Sequence, residues 1–242
     1  TWPRRRCNVA EAKNKRNMET VTSKYVGRTE YSAAWEEQKR FFNALLDAKR
    51  NGGGQAEQVL LFVEHPHVYT LGKSGHASNL LVDDGFLKRI GATYFQTDRG
   101  GDITYHGLGQ LVGYPILDLE RLGTNLKDYI WTVEESVIRT IAEYGIVGER
   151  LAGATGVWIE GDSPRARKIC AIGVKASRYV TMHGFALNVT TDLRYFSYIN
   201  PCGFVDKGVT SIEKETGMRP TLEEVARKFA AHFGQLLHCE VR

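Results

Sequence analysis

The chain has 242 residues, a formal net charge of +4 and 42% hydrophobic residues, and at this length it should bury roughly 70% of its unfolded surface in its own core. Much of the positive charge sits at the start (Arg4, Arg5, Arg6, Lys13, Lys15, Arg16, Lys24, Arg28), and the near-neutral remainder argues against a nucleic-acid-binding face. No apolar run approaches the ~18 residues of a membrane span and no signal-peptide core follows the early arginines, so a soluble, cytoplasmic protein is expected.

Residues 1–17 read as a disordered leader or an expression remnant ahead of Met18. Trp35, Phe41, Phe42, Leu45 and Leu46 then recur at helical spacing over 32–49, with Ser32 as the expected N-cap and Gly52 as the stop. Strand-like runs follow at 59–63, 68–71, 93–96, 103–106 and 111–117. A second helix is predicted over 125–144 from Leu126, Ile130, Val133, Val137 and Ile141. Strand signals return at 155–160, 168–174 and 184–189, and Thr221 with Glu224 forms a capping box before a C-terminal helix. No linker or repeat divides these elements, so 18–242 is read as a single α+β domain, with a smaller C-terminal lobe as a possible elaboration.

The densest unusual stretch runs from Arg99 to Leu117, where five glycines and His106 lie between apolar runs. Glycine weakens a strand, so such a cluster points to positive φ or to a ligand lying against bare backbone. It matches neither the P-loop nor the dinucleotide fingerprint. His65 and His67 have an H-x-H spacing, but no cluster of carboxylates or thiols accompanies them, so no metal and no cofactor is implied.

Four scattered cysteines (Cys7, Cys170, Cys202, Cys239) form no C-x-x-C pair, which fits free thiols in a reducing compartment. Cys202 stands between Pro201 and Gly203, in a turn that would expose it; Cys170 lies inside an apolar alternation. A nucleophilic thiol needs a partner that favours thiolate. His106, His183 and Lys168 are the candidates, and the strand period sets Lys168, Cys170, Ile172 and Val174 on one face. A packing cysteine and a solvated lysine remain the plain alternatives.

In order along the chain, Glu64-His-Pro-His-Val-Tyr-Thr-Leu-Gly, the segment from Arg99 to Tyr114, Thr155-Gly-Val-Trp, Lys168-Ile-Cys-Ala-Ile-Gly-Val, His183-Gly-Phe-Ala-Leu-Asn and Pro201-Cys-Gly resemble the lipoyl(octanoyl) transferase family, part of the biotin/lipoate protein-ligase group. The resemblance covers about residues 20–235. It implies a mixed or antiparallel central sheet flanked by helices, as in the ligase catalytic domains. It also implies an acyltransferase that takes octanoyl from acyl carrier protein and holds it as a thioester on Cys202. The group then passes to a lysine of lipoyl domains, in 2-oxoacid dehydrogenase complexes and the glycine cleavage H protein. Cys202 and Lys168 would form the catalytic dyad. The acyl-binding residues carry over onto Arg99, Gly100, Gly101, Asp102, Ile103, Thr104, Tyr105 and His106, onto Ala171, Ile172 and Gly173, and onto Gly184, Phe185 and Ala186. Backbone amides at Gly100-Gly101 or Cys202-Gly203 would hold the oxyanion, and Gly173, Gly184 and Ala186 would leave room for the chain.

Two positions depart from the family pattern. Leu108 replaces a proline of the His-Gly-Pro-Gly-Gln string, and Cys170 stands where alanine or serine is common. Two other readings remain: an ATP-dependent lipoate or biotin ligase on the same fold, and a non-catalytic acyl-binding protein.

Overall fold

The apolar run from Gln58 to Glu64 (β2) becomes an inner strand, because only a strand covered on both faces can carry five consecutive large apolar residues out of water. The computed structural model describes residues 18–52, 55–200 and 207–242. In chain order β2 is preceded by β1 (Thr20–Arg28) and α1 (Tyr31–Arg50). It is followed by β3 (Val68–Leu71), α2 (Asp84–Arg89), β4 (Thr93–Gln96), β5 (Ile103–His106) and β6 (Gln110–Ile116). Next come α3 (Leu126–Ala142), β7 (Glu149–Leu151), β8 (Ala154–Ile159), β9 (Arg167–Ser177) and β10 (Val180–Asn188). The chain closes with β11 (Gly208–Val209), α4 (Ile212–Thr216), α5 (Leu222–Leu237) and β12 (Glu240–Val241).

The main sheet is mixed, in the order β12-β1-β2-β6-β10-β9-β8-β7, with β11 added in parallel beside the start of β9. A second, three-stranded sheet has the order β4-β3-β5. This is the mixed α+β architecture expected, with helices on both faces.

Helices α3 and α5 cover one face of the main sheet. Val133, Val137 and Ile141 of α3 and Val225, Phe229 and Phe233 of α5 meet Phe62, Phe185 and Leu187 there. Phe229 lies 4.3 Å from the Phe185 ring and 5.9 Å from that of Phe62, centroid to centroid. The other face carries α1, whose Phe41, Phe42, Leu45 and Leu46 pack on Val59, Leu61, Val112 and Ala186. The small sheet has its own core of Tyr69, Leu71, Ile103 and Tyr105.

Helix boundaries follow local chemistry. Asn125 caps α3 by accepting from the Asp128 N–H (3.0 Å), and Thr221 caps α5 by accepting from the Glu224 N–H (3.2 Å). Helix α1 starts earlier than expected: Glu30 is its N-cap residue, with no side-chain cap, and Ser32 lies inside the first turn. Among the described residues, no helix is long and apolar enough to cross a membrane.

Candidate active site

Beyond the N-terminal end of α1, the second face of the sheet holds a cavity of about 430 Å³, a volume typical of small-ligand sites. Its floor is made by β6, β10 and β9, through Val112, Tyr114, Gly184, Ala186, Ala171 and Gly173. The small sheet contributes Ile103, Thr104 and His106, and the turn before it Arg99, Gly101 and Asp102. Thr155, Trp158, Lys168, Lys207 and Gly208 line the end where β8, β9 and β11 meet.

The Arg99 turn is tied down on several sides. Gly72, Lys73 and Ser74 donate backbone bonds to the carbonyls of Asp102 (3.2 Å), Arg99 (2.9 Å) and Gly101 (3.2 Å). Gly101 itself has φ +85°, a conformation that favours glycine. The Arg99 side chain is 8% exposed and donates to the Thr70 hydroxyl and to the carbonyls of Thr70 and Gly100. Asp102 accepts from the Ile103 N–H (2.6 Å) and from the Asn79 amide (2.7 Å).

Two histidines at the cavity are held neutral by their surroundings. His106 donates from Nδ1 to Gln110 Oε1 (2.9 Å), leaving Nε2 as acceptor beside the Thr70 hydroxyl (3.4 Å). Burial first, and then its neighbour His65, hold its pKa well below the ordinary range. His183 bonds Asp98 through Nε2 (2.8 Å), and Lys175 donates to the same carboxylate (2.6 Å). Burial lowers the His183 pKa despite the carboxylate, while the bond from His183 holds the Asp98 pKa well below the usual range. The His183 backbone has φ +61°, a strained conformation held by the Asp98 bond and by its N–H donating to Gln38 Oε1 (3.0 Å).

Lys168 reaches the cavity because β9 is irregular at this point. Trp158 pairs with Lys168 but its neighbour Val157 pairs with Cys170, so β9 advances two residues for one on β8, a bulge that re-aims side chains. The bulge takes Lys168 off the face it was expected to share with Cys170, Ile172 and Val174, while those three keep it. Cys170 is fully buried in the core under α3 and α5, with Ile172 and Val174 packed against that same core. The Lys168 Nζ instead sits 4.6 Å from the Trp158 ring centroid and donates to Thr155 O (3.3 Å). Burial pushes the Cys170 thiol far above its ordinary pKa, so this second thiol stays protonated and enclosed.

Most of the acyl-binding residues expected from the sequence come together here: Arg99, Gly101, Asp102, Ile103, Thr104, His106, Ala171, Ile172, Gly173, Gly184, Phe185 and Ala186 line one cavity. Gly100 and Tyr105 do not. The Gly100 N–H donates to Val174 O (2.9 Å), which removes it as an oxyanion donor. Strand alternation turns Tyr105 into the small sheet's core, where its hydroxyl meets His67 Nδ1 (2.7 Å). Gly184 and Gly173 also leave less room than expected. A Cβ on Gly184 would strike the Gly113 carbonyl and Pro115, and one on Gly173 would meet the Gly100 carbonyl at 2.7 Å. Their lack of side chains permits close backbone approach, while Ala171 and Ala186 remain as small floor residues. His65 and His67 are engaged with Thr29 O and Tyr114 OH, and with Tyr105 OH.

Tyr31, Asp98 and Lys207 belong to the site's surroundings without having been marked by any motif. Cys202 and Gly203 lie outside the described residues.

The lipoyl protein ligase A/B catalytic domain profile matches residues 30–234. An octanoyltransferase of Bacteroides fragilis is 58% identical over 211 residues, covering 87% of this chain and 95% of its own length. That of Flavobacterium psychrophilum is 51% identical over 228 residues, covering 92% and 98%. Among solved structures, a bi-partite lipoate protein ligase from Thermoplasma acidophilum has a TM-score of 0.66 at 18% identity, covering 93% of this chain and 86% of that one, a likeness of fold. With its mixed sheet, its cavity and relatives at this identity, the chain belongs to the lipoyl protein ligase A/B catalytic domain family.

Proposed function

We propose that this chain is an octanoyltransferase of lipoate biosynthesis, an acyltransferase that moves an octanoyl group from acyl carrier protein to a lysine of a lipoyl domain through a thioester on Cys202. The acceptors are the lipoyl domains of 2-oxoacid dehydrogenase complexes and the glycine cleavage H protein, and residues 18–242 act as one catalytic unit. The observation that carries this reading is the bulge in β9, which sets Lys168 at the end of a largely apolar cavity while enclosing the nearby thiol of Cys170.

The flanks of the segment that contains Cys202 support its assignment. Asn200 donates to Asn79 O (2.8 Å), whose amide in turn reaches Asp102, and Gly208 donates to Ala166 O (3.0 Å) as β11 pairs with Arg167 and Lys168. Both anchors adjoin the cavity.

In the first half-reaction the Cys202 thiolate attacks the carrier's thioester carbonyl. The C–S bond to pantetheine breaks, and the departing sulfur takes a proton from the Lys168 ammonium. In the second, the acceptor's neutral lysine amine attacks the Cys202 thioester. Neutral Lys168 accepts the amine's proton, the C–S bond to Cys202 breaks, and an amide remains. Thioester exchange is nearly isoenergetic and amide formation is downhill, so no ATP enters. Burial of the chain at ~0.8 kcal/mol per methylene supplies much of its binding.

Purified protein incubated with octanoyl carrier protein and a lipoyl domain, without ATP, tests this directly. Octanoylation of the domain's lysine is expected; octanoylation only when ATP and free octanoate are supplied would establish a ligase instead.

A further inference from the structure

We infer that Tyr31 is the end wall of the acyl cavity and determines the longest chain it accepts. The inference rests on the octanoyl-transfer reading and deepens it by naming the residue that sets chain length. At the Lys168 end, Thr155 and Gly208 are exposed, whereas Tyr31, His106, Tyr114 and His183 are buried. Strand register then orders the floor between them. Ala171 pairs with Ala186, Gly173 with Gly184 and Val174 with His183, so successive levels lead away from Lys168 toward the buried end. A chain whose carbonyl is near Lys168 therefore has its methyl end pointing to that aromatic group.

Tyr114 and His183 belong to the floor strands. Tyr31 comes from a different element, as the first residue of α1 and the one residue of that helix lining the cavity among those described. Its ring is clamped. It stacks on His106 (centroids 6.1 Å apart, planes 13° apart), meets the His65 ring edge-on at 5.3 Å, and leans on Phe95 (5.2 Å) and Trp35 (5.9 Å). The clamp is itself fixed, because His106 is held by Gln110 and Thr70, and His65 by Thr29 and Tyr114. A longer chain would have to push Tyr31 off this stack, and close-packed interiors resist such overpacking.

The test compares octanoyl, decanoyl and dodecanoyl carrier proteins as donors for the full chain and its Tyr31→Phe, Tyr31→Val and Tyr31→Ala variants, with thermal melting as a check on folding. Truncation to valine or alanine is expected to raise the dodecanoyl-to-octanoyl ratio of kcat/KM by roughly tenfold or more, in the range that pocket size discriminates methylenes. Tyr31→Phe keeps the ring and should keep the wild-type order of chain lengths. Folded valine and alanine variants that retain the wild-type order would overturn the inference while leaving octanoyl transfer intact. Should alanine prevent folding, the valine variant decides by the same ratio, with the phenylalanine variant as reference; unfolding of both truncations would overturn the inference in favour of a purely structural Tyr31. A wild-type protein that transfers no acyl group from any carrier would overturn both.

Discussion

The two faces of the central sheet bury different chemistry. Under α3 and α5 the contacts are aliphatic and aromatic, and even the thiol of Cys170 is sealed among them. On the face shared by α1 and the small sheet, Arg99, His106, His183 and Gln110 are buried in a hydrogen-bonded frame around a cavity. Burying polar groups costs stability unless each finds a partner. The polar residues buried on α3, Thr132, Ser136 and Thr140, donate to carbonyls one turn back in their own helix, so that face is held by its apolar cluster. Strand β9 carries both roles, and its bulge separates Lys168 from Cys170.

Substitutions on the two faces should therefore fail in different ways. The largest expected effect is on catalysis: Cys202→Ser should lower octanoyl transfer by about 10⁴-fold or more and Lys168→Ala by about 10³-fold, with melting temperatures near wild type. Full turnover by the Lys168→Ala protein would remove it from the mechanism. On the opposite face, Phe229→Ala should lower unfolding free energy by about 3–5 kcal/mol, read from urea midpoints. Loss of transfer at temperatures where that variant is still folded would break the division between faces.

Acid should loosen the polar face first. Burial brings the His65 pKa down to about 4, below its ordinary 6.5, so the unfolded chain binds the proton before the folded one does. Stability from this neutral histidine is complete above pH 6.5 and declines as pH falls toward 4, by up to about 1.4 kcal/mol per pH unit. His106 and His183 add in the same direction. Asp98, with its pKa depressed by His183, contributes above the ordinary carboxylate range and is lost only in stronger acid. Urea titrations across this window should show the decline, and His65→Gln should flatten part of it; a stability constant from pH 6.5 to 4 would contradict the neutral assignments. The smallest effect is expected at Cys170, where Cys170→Ser should change transfer by less than about twofold while lowering stability, because a hydroxyl replaces a buried thiol.

Long periodic segments were legible in the sequence for a physical reason: Phe41, Phe42, Leu45 and Leu46 on α1, or the continuous apolar run of β2, leave one way to bury the pattern. Elements of two to five residues, such as β7, β11, β12 and α4, carry no period of their own and form because neighbours supply their bonds. The cavity was legible as motifs, since the Arg99 to His106 segment, except Gly100 and Tyr105, meets Ala171 to Gly173 and Gly184 to Ala186 around it. What the motifs did not convey was orientation. Alternation along β5 turns Tyr105 away, the bulge at β9 sends Lys168 and Cys170 to different environments, and Gly184 accommodates a neighbouring backbone. Tyr31 belongs to no motif, because its place at the cavity comes from the fold bringing a helix start over distant strands.

The central claim is a thioester on Cys202, and it is tested most directly by intact-mass analysis of the protein after incubation with octanoyl carrier protein in the absence of ATP, followed by peptide mapping. The account predicts one octanoyl adduct, labile to hydroxylamine, on the peptide containing Cys202 and absent from Cys202→Ser. An adduct mapping to Cys170, or octanoyl transfer that proceeds with Cys202 replaced, would contradict it.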